Sequence, residues 1–170
     1  EAVCQALKSC HPDLEPHLKW PNDLMLTRGK VGGLLLENPQ SPPWRILVGL
    51  GLNLLPPDPE RLPAGSRPTS LAQESGTPPD PERLLAELIK AFLQVVPRLL
   101  ERRPADWPQA LLPLLQPAPG SPIRFHPAGR AEHIEGLFTG LSPDGGLLLL
   151  QEGEESPVCH YAGDLLDHSL

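Results

Sequence analysis

The chain has 170 residues, with 14 basic and 21 acidic side chains, a formal charge of −7, 24 prolines, 15 glycines and only 4% aromatic residues. That length suits one ordinary domain, or a larger domain fragment with a small barrel, and excludes two full-sized domains. The acidic surplus is lopsided, with 12 basic and 13 acidic residues in 1–118 against 2 and 8 in 119–170, so neither part offers the basic face of a nucleic-acid binder.

The first ten residues place Val3, Ala6, Leu7 and Cys10 at helical spacing, and Pro12 closes that segment. Residues 18–26 and 31–37 read as two strands joined by Thr27-Arg28-Gly29, a short turn with glycine where a positive φ is useful. Residues 45–54 form a third strand. Its alternation puts Ile46, Val48, Leu50, Leu52 and Leu54 on one face and Leu47, Gly49, Gly51 and Asn53 on the other. Two successive same-face glycines leave a smooth floor, at a cost in strand stability that packing alone does not ask for.

From residue 80 the pattern is helical. Asp80 suits the N-cap, Pro81 the first turn, and Leu85, Leu88, Ile89, Phe92 and Val96 form one apolar stripe, with Pro97 expected to end or kink the helix. A shorter helix is expected over 107–115, and Pro117-Ala118-Pro119-Gly120 marks a boundary. Beyond it, strands are expected at 122–126, 135–141, 146–151 and 156–161, with a hairpin at Ser142-Pro143-Asp144-Gly145-Gly146. Four or five short antiparallel strands in so few residues predict a small barrel that closes its own edges.

Cys4, Cys10 and Cys159 are odd in number and none lies in a Cys-x-x-Cys pair. They fit a reduced, cytoplasmic setting and argue against zinc. No apolar run approaches the roughly 20 residues of a membrane span, and no basic-then-apolar signal opens the chain. The numbering begins at Glu1 within a helical pattern and without an initiator Met, so the chain is expected to be part of a longer one.

Chemistry concentrates in Lys19-Trp20-Pro21-Asn22-Asp23, Lys30-Val31-Gly32-Gly33-Leu34-Leu35 and Gly49-Leu50-Gly51-Leu52-Asn53. Two ammonium groups, a carboxylate, two carboxamides and bare backbone suit an anionic, partly apolar small molecule. Each feature also has a plain structural explanation: snorkelling lysines, a bulge at Gly32-Gly33, backbone-satisfying asparagines. The Gly-x-Gly is no dinucleotide fingerprint, since it lacks the third glycine and Pro56-Pro57 follows where a helix should open.

Lys-Trp-Pro-Asn-Asp, the second Lys eleven residues on, then Gly-Leu-Leu-x-Glu and Gly-x-Gly-x-Asn in that order, resemble the C-terminal half of the biotin–protein ligase catalytic domain. Residues 119–170 resemble that family's C-terminal SH3-like barrel, so the resemblance covers essentially the whole chain. It implies an α+β fold: part of a class II synthetase-like mixed sheet with helices, followed by the barrel. The implied domains are 1–117, the C-terminal part of the catalytic domain, and 118–170, the barrel.

The implied activity is a two-step ligation. Biotin and MgATP give biotinyl-5′-AMP, and the biotinyl group passes to a lysine of the carrier domain of a biotin-dependent carboxylase. The resemblance makes Lys30 and Lys19 catalytic, with Lys30, Gly33, Leu34, Leu35, Gly49 and Gly51 against biotin. It assigns Asn22, Asp23, Asn53 and Asp164 to ATP or the adenylate, and Asp23 to magnesium. It also admits a homodimer formed through the sheet edge.

The chain departs from the family in two places. It has no Gly-Arg-Gly-Arg-type loop upstream of Lys19 and lacks the first strands of the family's sheet, so residues 1–170 alone are expected neither to form biotinyl-AMP nor to fold stably as a monomer; with no winged-helix segment, nothing points to a repressor role. His168, after the Ala162-Gly163-Asp164 segment that resembles the family's Gly-Gly-Glu, stands where some members carry an arginine that helps hold ATP, and a neutral imidazole would weaken that contact. The competing expectation is a non-catalytic biotin- or protein-binding module on the same fold. Lipoate–protein ligases share the architecture, but the Lys-Trp-Pro-Asn-Asp signature and the barrel favour biotin.

Overall fold

The structure, a computed structural model, describes residues 1–38, 45–62, 67–101, 103 and 106–166. They form a mixed α+β arrangement that packs as two compact units: residues 1–18 with 22–95, and residues 19–21 with 96–170.

In the first unit, helix α1 (Ala2–Cys10) buries Ala2, Val3, Cys4, Ala6 and Leu7. Helix α3 (Pro81–Glu101) starts at Asp80, whose Oδ1 accepts from the N–H groups of Glu82 and Arg83 at 3.0 and 3.2 Å. That carboxylate satisfies two of the helix's orphan donors. Ala2 and Ala6 cluster with Ala91 and Val95 of α3, with Leu88 and Phe92 packed around them.

The expected stripe of α3 is therefore rotated. Leu84, Ala91 and Val95 are buried, whereas Leu85, Ile89 and Val96 are exposed. Small residues decide the matter: alanine opposite alanine lets two helices approach closely, and a reading that weighs large apolar side chains passes over it. Pro97 neither ends α3 nor stops its last turn. The carbonyl it deprives of a partner belongs to Leu93, which is 72% exposed, so water can serve that group.

The first sheet has the order β1-β2-β3-β4, with β1 His17–Lys19, β2 Asp23–Leu26, β3 Gly29–Glu37 and β4 Leu47–Leu52. The single strand expected over 18–26 is thus two, parted around Pro21, which has no N–H to give to a ladder. The turn before β3 needs Gly29: its φ is 151°, and a Cβ there would run into the Arg67 carbonyl. Helix α2 (Leu71–Ser75) follows, capped by Ser70 Oγ, which accepts from Gln73 N–H at 3.2 Å. Leu24, Leu26, Val31 and Leu71 are buried.

The second unit contains α4 (Trp107–Leu111), continued by a 3-10 turn over Leu112–Leu114, and five antiparallel strands. These are β5 (Pro122–Pro127), β6 (Ile134–Leu141), β7 (Leu147–Leu150), β8 (Val158–His160) and β9 (Gly163–Leu166), in the order β8-β7-β6-β5-β9. Strands β8 and β9 lie at opposite ends of that order, yet only Tyr161 and Ala162 separate them in sequence. Two residues span little distance, so the sheet must roll up on itself. Ile123, Phe125, Phe138, Leu147, Leu149 and Leu165 fill its interior. Among the described residues, no helix is long and apolar enough to cross a membrane.

Candidate functional site

The register of β3 organises the site. Strand β4 pairs Gly51 with Gly33 and Gly49 with Leu35, so these four positions share one face of the sheet, while Leu34, opposite Leu50, lies on the other. Leu34 therefore cannot join Gly33 and Leu35 in one wall, because adjacent strand residues point to opposite faces. A methyl at Gly51 would meet nothing within 4 Å, and one at Gly49 would only touch Leu35. The floor expected from the alternation is thus present and open.

Lys30 reaches that floor through a bulge at Val31, one position before the Gly32-Gly33 site that the sequence suggests. Against β2, Leu24 pairs with Gly32 but Met25 pairs with Lys30, leaving Val31 as an extra residue. A bulge of this kind resets the alternation and re-aims the side chains before it. Lys30, three residues before Gly33, consequently shares the face of Gly33: a Cβ at Gly33 would lie 3.8 Å from Lys30 Cε and 3.7 Å from Asp23 Oδ1. Lys30 Nζ is 2.5 Å from Asp23 Oδ1, with the lysine side chain 49% exposed and the carboxylate 23%. An ion pair so open to water contributes at most about 1 kcal/mol to stability. Its consequence is orientation, holding the ammonium over the glycine floor.

The two asparagines of the motifs bind backbone. Asn22 Nδ2 donates to the Leu34 carbonyl at 2.8 Å, and Asn53 Nδ2 donates to the Thr69 carbonyl at 3.0 Å. Asn53 also donates its N–H to the Val31 carbonyl at 2.8 Å and accepts from Leu71 N–H at 2.9 Å. It fills the junction where β4 leaves β3 and the segment 67–71 enters. Lys30 lies beside Pro68 in a parallel bridge; its N–H bonds the Arg67 carbonyl at 2.9 Å and its carbonyl accepts from Thr69 N–H at 2.8 Å. Sequence reasoning passed over Thr69 and Glu74, although two hydroxyl residues before an apolar helix start are a recognisable capping signal.

Lys19, which closes β1, and Asp164, exposed in β9, belong to the second unit. The structure brings together Asn22, Asp23, Lys30, Gly33, Leu35, Gly49, Gly51 and Asn53 in the first. His168 lies outside the described residues. Among the described residues, no three or more His, Cys, Asp or Glu side chains are grouped to hold a metal.

Lys30 is thus held beside a bare, open strand face of a mixed α+β unit that is joined in sequence to a rolled five-stranded sheet. No family model matches the chain. A biotin–[acetyl-CoA-carboxylase] ligase of Paracoccus denitrificans is 34% identical over 157 residues, 83% of this chain and 59% of that protein. The apo biotin protein ligase of Aquifex aeolicus superposes with a TM-score of 0.75 at 25% identity, over 97% of this chain and 70% of that one. The Aquifex enzyme in complex with biotin and ATP gives 0.73 at 25%, over 97% and 66%. The chain is similar to biotin–protein ligases, which are enzymes, along most of its length, and it spans 59% of the length of the Paracoccus relative.

Proposed function

We propose that the protein containing this chain joins biotin to ATP as biotinyl-5′-AMP and passes the biotinyl group to a lysine of a carboxylase carrier domain. In this reading residues 1–117 are the later part of the catalytic domain, of class II synthetase type, and 118–170 are an SH3-like barrel. The strand order β8-β7-β6-β5-β9 and the short β8–β9 connection support the barrel. The observation that carries the function is the ammonium of Lys30, turned by the Val31 bulge onto the Gly33–Gly51 floor and held by Asp23.

Chemistry explains that placement. For attack, the biotin carboxylate and the α-phosphate must approach to about 3 Å, and a fixed cation between them offsets their repulsion as charge develops. Gly33, Leu35, Gly49 and Gly51 supply the flat wall for the fused rings. Asn22 and Asn53 serve the nucleotide side; Lys19 and Asp164, for which the resemblance implies catalytic and nucleotide roles, belong to the second unit and are no part of this geometry. The observed bonds of Asn22 and Asn53 give both a framework duty as well.

Asp23 turns Oδ1 to Lys30, and among the described residues it belongs to no group of three or more His, Cys, Asp or Glu side chains, so it does not make a metal site by itself. Magnesium enters with ATP, as part of the substrate. The three cysteines are free thiols, which suits the reducing, ATP-containing cytoplasm. Residues 1–170 are proposed to be insufficient for adenylation alone, since Leu35, Leu36, Leu47 and Val48 of β3 and β4 are exposed as a sheet awaiting cover.

The test is Lys30→Ala in the full-length protein, followed by biotin- and ATP-dependent labelling of a carrier domain. Labelling should fall at least about 100-fold with the melting temperature retained. Unchanged labelling would exclude the role given to Lys30, and an unlabelled carrier with the unmodified enzyme would favour a non-catalytic module.

A further inference from the structure

We infer that Glu74 is a positioning residue for Lys30, acting through Thr69 and the turn at Arg28; this rests on the ligase reading above. One oxygen, Glu74 Oε1, accepts from the hydroxyl of Thr69 at 2.8 Å and from the backbone N–H of Arg28 at 2.9 Å. Those two groups flank Lys30. Arg28 precedes it by two residues in the hairpin, and Thr69 lies on the segment bonded to both backbone groups of Lys30.

The consequence is a closed frame. Lys30 donates its N–H to the Arg67 carbonyl and accepts at its own carbonyl from the Thr69 N–H, and Asn53 donates to the Thr69 carbonyl from the side of β4. Thr69 and Ser70 are 1% and 0% exposed, so the hydroxyl of Thr69 has no water to turn to if Glu74 is removed, and an unmet buried donor is costly. The segment 67–69 forms no strand of its own in the described residues and is held by its two backbone bonds to Lys30, by Asn53 and by Glu74. Freed from Glu74, it can shift, and Lys30 shifts with it. The ammonium is set at the end of a long, flexible side chain by its backbone origin and by Asp23, and small displacements of a reacting charge are expensive.

Glu74 itself is well placed to act as a fixed post. It stands in α2, which is capped by Ser70 at one end and closed at the other by Gly76 at φ 73°. The partners of its Oε1 are the Thr69 hydroxyl and the Arg28 N–H, so its effect is on geometry and not on substrate contact.

The experiment compares Glu74→Ala and Thr69→Val with Glu74→Gln and Thr69→Ser in the full-length protein. Steady-state kinetics of biotinyl-AMP formation are measured alongside hydrogen exchange of the Lys30 and Thr69 amides. Glu74→Ala and Thr69→Val should lower kcat by about 10- to 100-fold while the KM for biotin and for ATP stays within about twofold. Exchange at Lys30 and Thr69 should quicken while that of buried Leu24 does not. Glu74→Gln and Thr69→Ser, which keep an acceptor oxygen and a hydroxyl, should restore both readouts. Unchanged kcat and exchange in Glu74→Ala and Thr69→Val would overturn the proposal, as would a general loss of protection and melting temperature in both without the kcat-specific effect. An unmodified protein that forms no adenylate would instead overturn the ligase reading, leaving the exchange result to judge the frame.

Discussion

The indole of Trp20 donates a 2.9 Å hydrogen bond from Nε1 to the carbonyl of Gly145, 125 positions later in the chain. Trp20 is only 7% exposed and meets Phe125 edge-on, with ring centroids 5.8 Å apart at 65°. The tryptophan of the Lys-Trp-Pro-Asn-Asp signature is therefore a core residue of the second unit. A second indole, Trp107, donates to the carbonyl of Pro143 at 2.5 Å in the same hairpin. Trp20→Ala should lower unfolding free energy by about 3–5 kcal/mol, and Trp20→Phe by distinctly less, since it keeps ring packing and loses one hydrogen bond of about 1 kcal/mol. Urea unfolding followed by circular dichroism checks this; equal losses in the two variants would contradict it.

Neighbouring glycines should respond in opposite ways. A Cβ at Gly32 would collide with the Gly51 carbonyl and lie 2.8 Å from Leu52 Cδ2, whereas one at Gly51 would meet nothing within 4 Å. Gly32→Ala should destabilise the fold by about 1–3 kcal/mol through overpacking. Gly51→Val should leave unfolding within about 0.5 kcal/mol of the parent and weaken biotin binding in the full-length protein by filling the floor. Denaturant melts and isothermal titration with biotin separate the two effects.

Acid should weaken the second unit through His160. Burial, with Arg130 as a lesser cause, holds its imidazole below the ordinary value of 6.5. The folded state thus disfavours the proton that the unfolded state accepts. Stability is complete above the unfolded value and declines as pH falls below about 6.5 toward the folded one. Asp144 adds a loss at lower pH: Ser142 and Tyr161 donate to its carboxylate and hold it below 3.8. Urea midpoints measured between about pH 7.5 and pH 5 should fall, and His160→Gln should flatten that slope. A slope unchanged by the substitution would assign the effect elsewhere.

The hairpin at Thr27-Arg28-Gly29, the alternation of 45–54, the Asp80 cap and the 142–146 turn were legible because each is written in a few adjacent residues. Turn chemistry and side-chain period are local, and so is the spacing from Lys19 through Asn53 that carries the family resemblance. Tertiary structure alone decided which face Lys30 takes, through the extra residue at Val31. It alone set the 67–69 segment beside that lysine, turned Asn53 to a backbone carbonyl and chose Ala91 over Leu85 for the buried face of α3. Those outcomes depend on which distant strand or helix supplies the partner, and register and close approach are properties of the pair, written in neither segment by itself.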